Sequence, residues 1–153
     1  MQLYPVDRRN WLFLLNHWLK LAGIGNHGFD EATITQVIDE AIKLAQHHLA
    51  PCNRSGDKIG VVFEPPHVKV PPDYHAAYKA VRESGFIGLG VPGEYGGSDA
   101  PMSLDLAVAA LLSGANTSLM LFYELTTGVI RLIDTFGTTG MKRIYIPQLV
   151  SGA

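Results

Sequence analysis

The sequence predicts an all-α domain: a bundle of five or six helices crossed by one Gly/Pro-rich extended connector. Three observations carry that reading. Apolar residues recur at spacings of three and four through most of the chain, and no alternating β-branched run lasts more than a few residues. The third is the stretch Gly85-Phe86-Ile87-Gly88-Leu89-Gly90-Val91-Pro92-Gly93-Glu94-Tyr95-Gly96-Gly97, whose six glycines and one proline bar a regular helix. Phe86, Ile87, Leu89 and Val91 make it too apolar for a solvated linker, so it reads as a buried extended connector ending in a tight turn at Tyr95-Gly96-Gly97.

The first helix is expected from about Asp7 to Ala22, with Trp11, Leu14, Leu15, Trp18, Leu19 and Ala22 forming one apolar stripe. Gly23, Gly25 and Gly28 end it. Asp30 is a suitable N-cap for a second helix reaching about Leu49, with Ile34, Val37, Ile38, Ala41, Ile42, Ala45 and Leu49 inward and Pro51 as its stop. Cys52 to Pro72 reads as a loop, with Val61-Val62-Phe63 a short extended piece. Pro72 opens a third helix to about Ser84 on the face Tyr74, Ala77, Tyr78 and Val81.

Pro101 to Ala115 makes a fourth helix, with Ser103 as its expected cap and Asp105 in its first turn. The fifth, about Ser118 to Phe136, is apolar around most of its circumference and is therefore expected to run through the middle of the bundle. Gly128 inside it costs roughly 1 kcal/mol against Ala, so it implies close approach of either a neighbouring helix or a ligand. Gly137 stops this helix, and a last short one follows from Thr138 or Thr139 to Leu149 with Pro147 inside.

Composition narrows the function classes. A chain of 153 residues fits one domain able to bury about two thirds of its unfolded surface. A formal charge of −2 with scattered Lys and Arg offers no field for nucleic acid. The single Cys52 favours a reducing compartment. Arg8-Arg9 before Trp11-Leu12-Phe13-Leu14-Leu15 has the outline of an export signal, but Asn16, His17 and Lys20 interrupt the run and no small-residue cleavage site follows. The run is also too short to span a bilayer. A cytoplasmic protein is expected, in which Asn53-Arg54-Ser55 and Asn116-Thr117-Ser118 carry no glycan.

Chemistry-bearing patterns are few. Gly23-Ile24-Gly25-Asn26-His27-Gly28 matches a dinucleotide fingerprint but follows a helix rather than a strand. Gly88-Leu89-Gly90-Val91-Pro92-Gly93 matches it too, but Pro92 and Gly96-Gly97 spoil the helix that would receive a pyrophosphate. His47-His48 point about 100° apart on a helix, with no carboxylate or Cys at ligand spacing, so no metal is expected. Glu94, Asp105, Glu124 and Asp134 read as caps, turn residues or solvated edges. The residues alone supply no catalytic constellation.

From Tyr74 to Gly152 the chain resembles the N-terminal helical domain of the acyl-CoA dehydrogenase family. The resemblance is carried by the Gly85–Gly97 run, Leu106-Ala107-Val108, Gly114-Ala115-Asn116, Gly128, Gly137-Thr138 and Tyr145-Ile146-Pro147-Gln148-Leu149-Val150-Ser151-Gly152. The helix from Asp7, the Asp30–Pro51 helix and Asn53-Arg54 with Gly56-Asp57 are similar to the long-N-terminus branch, that of the 3-methylmercaptopropionyl-CoA dehydrogenases. Thr139-Gly140-Met141 departs from the acidic residues usual after Gly-Thr, a change confined to a surface helix.

The resemblance implies an FAD enzyme in which a glutamate base takes the acyl-CoA α-proton while hydride leaves the β-carbon. It places the flavin cradle and the base beyond Ala153, so residues 1–153 are expected to be a domain fragment, inactive alone and holding no FAD. It implies acyl-CoA as substrate, an electron-transfer acceptor as partner and a homo-oligomer. It points to Leu119, Met120, Tyr123, Thr127 and Gly128 as acyl-binding residues, for which plain helix core is an equal reading. A helical interaction module and a structural domain without ligand stand as the other classes.

Overall fold

The computed structural model describes residues 4–25 and 28–152. Among these residues six helical rods form an all-α bundle, as the periodicity implies. They are α1 (Arg8–Leu12, prolonged by a π turn Phe13–Trp18), α2 (Glu31–Leu44) running through a π turn (Ala45–Leu49) into α3 (Ala50–Ile59), α4 (Pro72–Glu83), α5 (Met102–Ala115), α6 (Thr117–Phe136) and α7 (Thr139–Val150). The only described strands are the antiparallel pair β1 (Val62–Glu64) and β2 (His67–Lys69), with Val62 opposite Lys69 and a cis Pro65–Pro66 peptide in the turn.

Side-chain caps set several helix starts. Asp30 accepts from the Thr33 amide at 2.7 Å, and Thr138 from Met141 at 3.3 Å. Ser103 is no cap: α5 begins at Met102 behind Pro101, without a side-chain cap, because Pro at the boundary already presets the backbone. The core sits where α2 and its π turn meet α5, with Ile34, Ile38, Ala45, Leu49, Leu104 and Val108 fully enclosed. From there α5 packs on α6 and α6 on α7.

Two π turns account for the largest departures from the periodicity. In the first, the Leu19 amide reaches back five residues to the Leu14 carbonyl at 2.9 Å. The extra residue rotates the following side chains, so Trp18 is 69 % exposed while Leu15 and Asn16 are buried. Lys20 then turns left-handed and the expected helix to Ala22 ends early, leaving only a 3-10 turn over Leu21–Gly23. Asn26 and His27 lie outside the described residues.

The second π turn ends at Leu49, one residue short of α3's Pro51, and the rod continues to Ile59, where Gly60 with φ of 65° closes it. Pro51 therefore does not stop the helix, and the expected loop from Cys52 to Pro72 holds α3 and the hairpin instead. A widened turn tolerates the missing N–H and the bulky ring that a tight α turn would not. The extended piece at Val61-Val62-Phe63 is found as β1, beginning at Val62.

The connector is buried at Phe86, Ile87, Gly88, Leu89 and Val91 but exposed at Gly85, Gly90 and Gly93, and it is not extended. It coils through 3-10 turns at Phe86–Gly88 and Gly93–Tyr95, entered from a left-handed Gly85 and left through a left-handed Gly96. Its two limbs then clip together through Ser98, Asp99 and Ala100 amides donating to the Gly88, Val91 and Leu89 carbonyls at 3.0, 3.0 and 2.9 Å. Gly97 is required by this approach, since a Cβ there would lie 1.9 Å from the Val91 carbonyl oxygen.

Helix α6 does not run through the middle. Leu119, Met120, Tyr123 and Ile130 are its buried residues, whereas Leu121, Phe122, Leu125, Val129, Leu132 and Phe136 are exposed. The bundle covers one face of this apolar helix and leaves the other open.

Candidate functional site

The candidate site is the surroundings of α6, and the sequence-derived residues divide there by depth. Leu119, Met120 and Tyr123 lie in the core, each no more than 2 % exposed. Thr127 is half-buried and Gly128 exposed. Tyr123 and Thr127 share a groove of about 370 Å³ with α5, lined also by Asp105, Ala109, Glu124 and Arg131. Leu119 borders instead a separate apolar crevice of about 100 Å³, walled by Val70, Tyr74, His75, Tyr78 and Phe122. The five do not converge on one cavity.

Gly128 has open space around it: nothing lies within 4 Å of a Cβ built there. Of the two causes its sequence position suggested, close approach of a neighbouring helix is excluded among the described residues. Leu121, Leu125, Gly128, Leu132 and Phe136 follow one another at spacings of three and four, so Gly128 is a notch in the exposed apolar stripe.

Polar links fix the buried face of α6. The Tyr123 hydroxyl donates to the Phe86 carbonyl at 3.2 Å, tying the helix to the connector. Burial, with the Asp105 carboxylate adding to it, pushes the Tyr123 phenol well above its ordinary range, so it stays a neutral donor. Asp105 is buried rather than solvated, and Arg131 donates to it at 2.5 Å. Gly90 makes room for this carboxylate, since a Cβ there would meet Asp105 Oδ2 at 2.9 Å. Ser113 donates to Glu124 at the other end of the α5–α6 contact. Periodicity missed Asp105 because a helix-first-turn acid is ordinarily a solvated dipole partner, and its cation lies 26 residues away.

The start of α6 is held by Asn116, which is 1 % exposed. Its Oδ1 accepts from the Leu119 amide at 3.0 Å and from the Tyr74 hydroxyl at 3.4 Å. Its Nδ2 donates to the Leu49 carbonyl at 3.3 Å and to Cys52 Sγ at 3.4 Å. Burial pushes the Cys52 thiol up, and the bond from Asn116 partly offsets it.

Elsewhere the surface offers two open clefts along α2, of about 590 and 680 Å³, each lined by acids and bases together. His47 and His48 border the first, but among the described residues no three His, Cys, Asp or Glu side chains are placed to hold a metal ion. No described helix is long and apolar enough to cross a membrane.

This arrangement, a clipped Gly/Pro connector locked to a helix with a bare apolar face, coincides with a family match. Residues 32–153 fit the family described as acyl-CoA dehydrogenase, N-terminal domain. The chain belongs to the acyl-CoA dehydrogenase family. It is 25 % identical over 155 residues to a 3-methylmercaptopropionyl-CoA dehydrogenase of Ruegeria pomeroyi, covering 97 % of this chain and 26 % of that protein. It is 24 % identical over 159 residues to a butyryl-CoA dehydrogenase of Syntrophomonas wolfei, with the same two coverages of 97 % and 26 %. The chain thus spans about a quarter of the length of these relatives. In this acyl-CoA dehydrogenase N-terminal domain, the described part of the two glycine runs does not form a dinucleotide fingerprint loop. Gly88–Gly93 coils between 3-10 turns rather than opening a helix, and Asn26 and His27 of the other glycine run lie outside the described residues.

Proposed function

We propose that this chain is the N-terminal helical domain of an FAD-dependent acyl-CoA dehydrogenase, in which the exposed face of α6 forms one wall of the acyl-chain pocket. The observation that carries the reading is the notched apolar stripe: Leu121, Leu125 and Leu132 are 50 %, 68 % and 59 % exposed around a Gly128 with nothing beside it. Solvent is a poor neighbour for so many branched carbons, and a hydrocarbon tail is a favourable one, gaining about 0.8 kcal/mol for each methylene it buries. Gly128 meets the acyl chain directly, Thr127 borders the adjoining groove against α5, and Leu119, Met120 and Tyr123 hold the wall from behind.

The family's chemistry is removal of a proton and a hydride from adjacent acyl carbons, with FAD supplying the hydride acceptor when bound. The family resemblance puts FAD and the base on other parts of the enzyme, and Gly88–Gly93, coiled through 3-10 turns, is not built to receive a pyrophosphate. The part of residues 1–153 is to exclude water and orient the acyl tail. Acyl-CoA is then the substrate, an electron-transfer protein the acceptor, and the enzyme a cytoplasmic homo-oligomer.

Purifying the product of the native gene through a tag at Met1 tests the reading. Flavin absorbance that bleaches when acyl-CoA is added without oxygen is expected. A product devoid of flavin, or a flavin indifferent to every acyl-CoA, would count for the interaction-module alternative.

A further inference from the structure

We infer that Asn116 is a positioning residue that sets the depth and rotation of α6 against the α2–α3 rod, and so the position of the acyl wall; its effect on acyl chains rests on the proposed function. The side chain saturates both ends of its amide inside the core. Its oxygen takes the α6 amide of Leu119 and the hydroxyl of Tyr74 on α4, while its nitrogen gives to Leu49 and Cys52. One residue thereby joins the start of α6 to two other rods.

A plain N-cap needs only the oxygen, and Asp or Ser would serve as well as Asn. The nitrogen is what distinguishes Asn here. The Leu49 carbonyl and the Cys52 sulfur belong to the end of the π turn and the first turn of α3. Because the π turn displaces that stretch relative to a straight helix, the carbonyl it presents is a landmark fixed by the bulge. Tyr74 is itself pinned between Asn116 and Gly56, whose absent Cβ would sit 2.3 Å from Tyr74 Cε1. The bulge, α3 and α4 therefore meet at the residue from which α6 starts.

The test is Asn116→Asp in the tagged native product, which keeps a capping oxygen and removes both donors. Asp30→Ala, which removes the cap of α2 and touches no part of α6, serves as the destabilised control. Two readouts are taken at matched fractions folded. In amide exchange, the variant is expected to lose tenfold or more protection in both Leu119–Tyr123 and Cys52–Gly56, and the control in neither. In turnover, the ratio of kcat/KM for long against short acyl-CoA is expected to shift at least fivefold in the variant and to hold in the control.

Exchange unchanged in both segments overturns the tie, because the residue is then a cap alone. Exchange lost with an unmoved chain-length ratio overturns its role in placing the wall. A wild-type product without flavin refutes the proposed function instead and leaves the exchange arm to decide the tie. Should Asn116→Asp not fold, Asn116→Ser, which also keeps a capping oxygen and lacks the amide nitrogen that reaches Leu49 and Cys52, is read by the same two readouts.

Discussion

Gly128 shows how a single position separates packing from function. With open space where its Cβ would be, Gly128→Ala should raise stability by about 0.5–1 kcal/mol, and a rise in Tm checks it. Gly128→Leu should leave folding intact but lower kcat/KM for long acyl-CoAs while sparing short ones. An unchanged chain-length profile would remove Gly128 from the pocket. Gly97→Ala is the contrast: with Val91 oxygen 1.9 Å from the new carbon, it should cost about 2–4 kcal/mol, visible as a lowered urea midpoint. Tyr123 adds a pH signature. Its phenol is held above the ordinary range by burial, then by Asp105, so the folded state resists its ionisation. Unfolded tyrosine ionises near pH ~10, hence this contribution is full below that pH and fades as pH rises above it. Tyr123→Phe should flatten that alkaline decline relative to the parent, at a cost of about 1–3 kcal/mol at neutral pH for the unpaired Phe86 carbonyl.

At the scale of elements, the two π turns divide what the sequence makes legible from what it does not. Apolar spacing locates α4, α5, α6 and α7, and the start of α2, to within a residue or two, because each obeys a 3.6-residue period and begins or ends at a Pro, Gly, Asp or Thr with a local role. A π turn inserts one residue into that period without a marker of its own, so Trp18 lies on the inward stripe in sequence and in solvent in the structure. Trp18→Ala should therefore cost less than about 0.5 kcal/mol, whereas Leu15→Ala, 3 % exposed, should cost about 2–4 kcal/mol. Equal losses in denaturant titrations would mean that α1 is a regular helix. Pro51 misleads for the same reason, being a helix stop only where no widened turn precedes it. Of the candidate site, Gly128 and the apolar content of α6 are legible. Which side of α6 the bundle covers is not, because an almost wholly apolar circumference has no polar face to mark the outside. The long-range bonds of Asp105 and Asn116 are equally invisible to local patterns, their partners lying 26 and up to 67 residues away.

For the whole molecule, the bare face of α6 is the surface proposed to meet an acyl chain. Residues 1–153 prepared alone should self-associate through that face, since contiguous apolar surface of this kind rarely stays solvated. A monomer by sedimentation at high concentration would argue against it. The more direct measurement uses the native gene product and an acyl-CoA carrying a photoreactive diazirine at the far end of its chain. After irradiation and digestion, label is expected on the peptide spanning Leu121 to Leu132, centred near Gly128, and is expected to be competed away by the unmodified acyl-CoA. Competable label confined to other segments, with none on α6, would contradict the assignment of this face to the acyl wall.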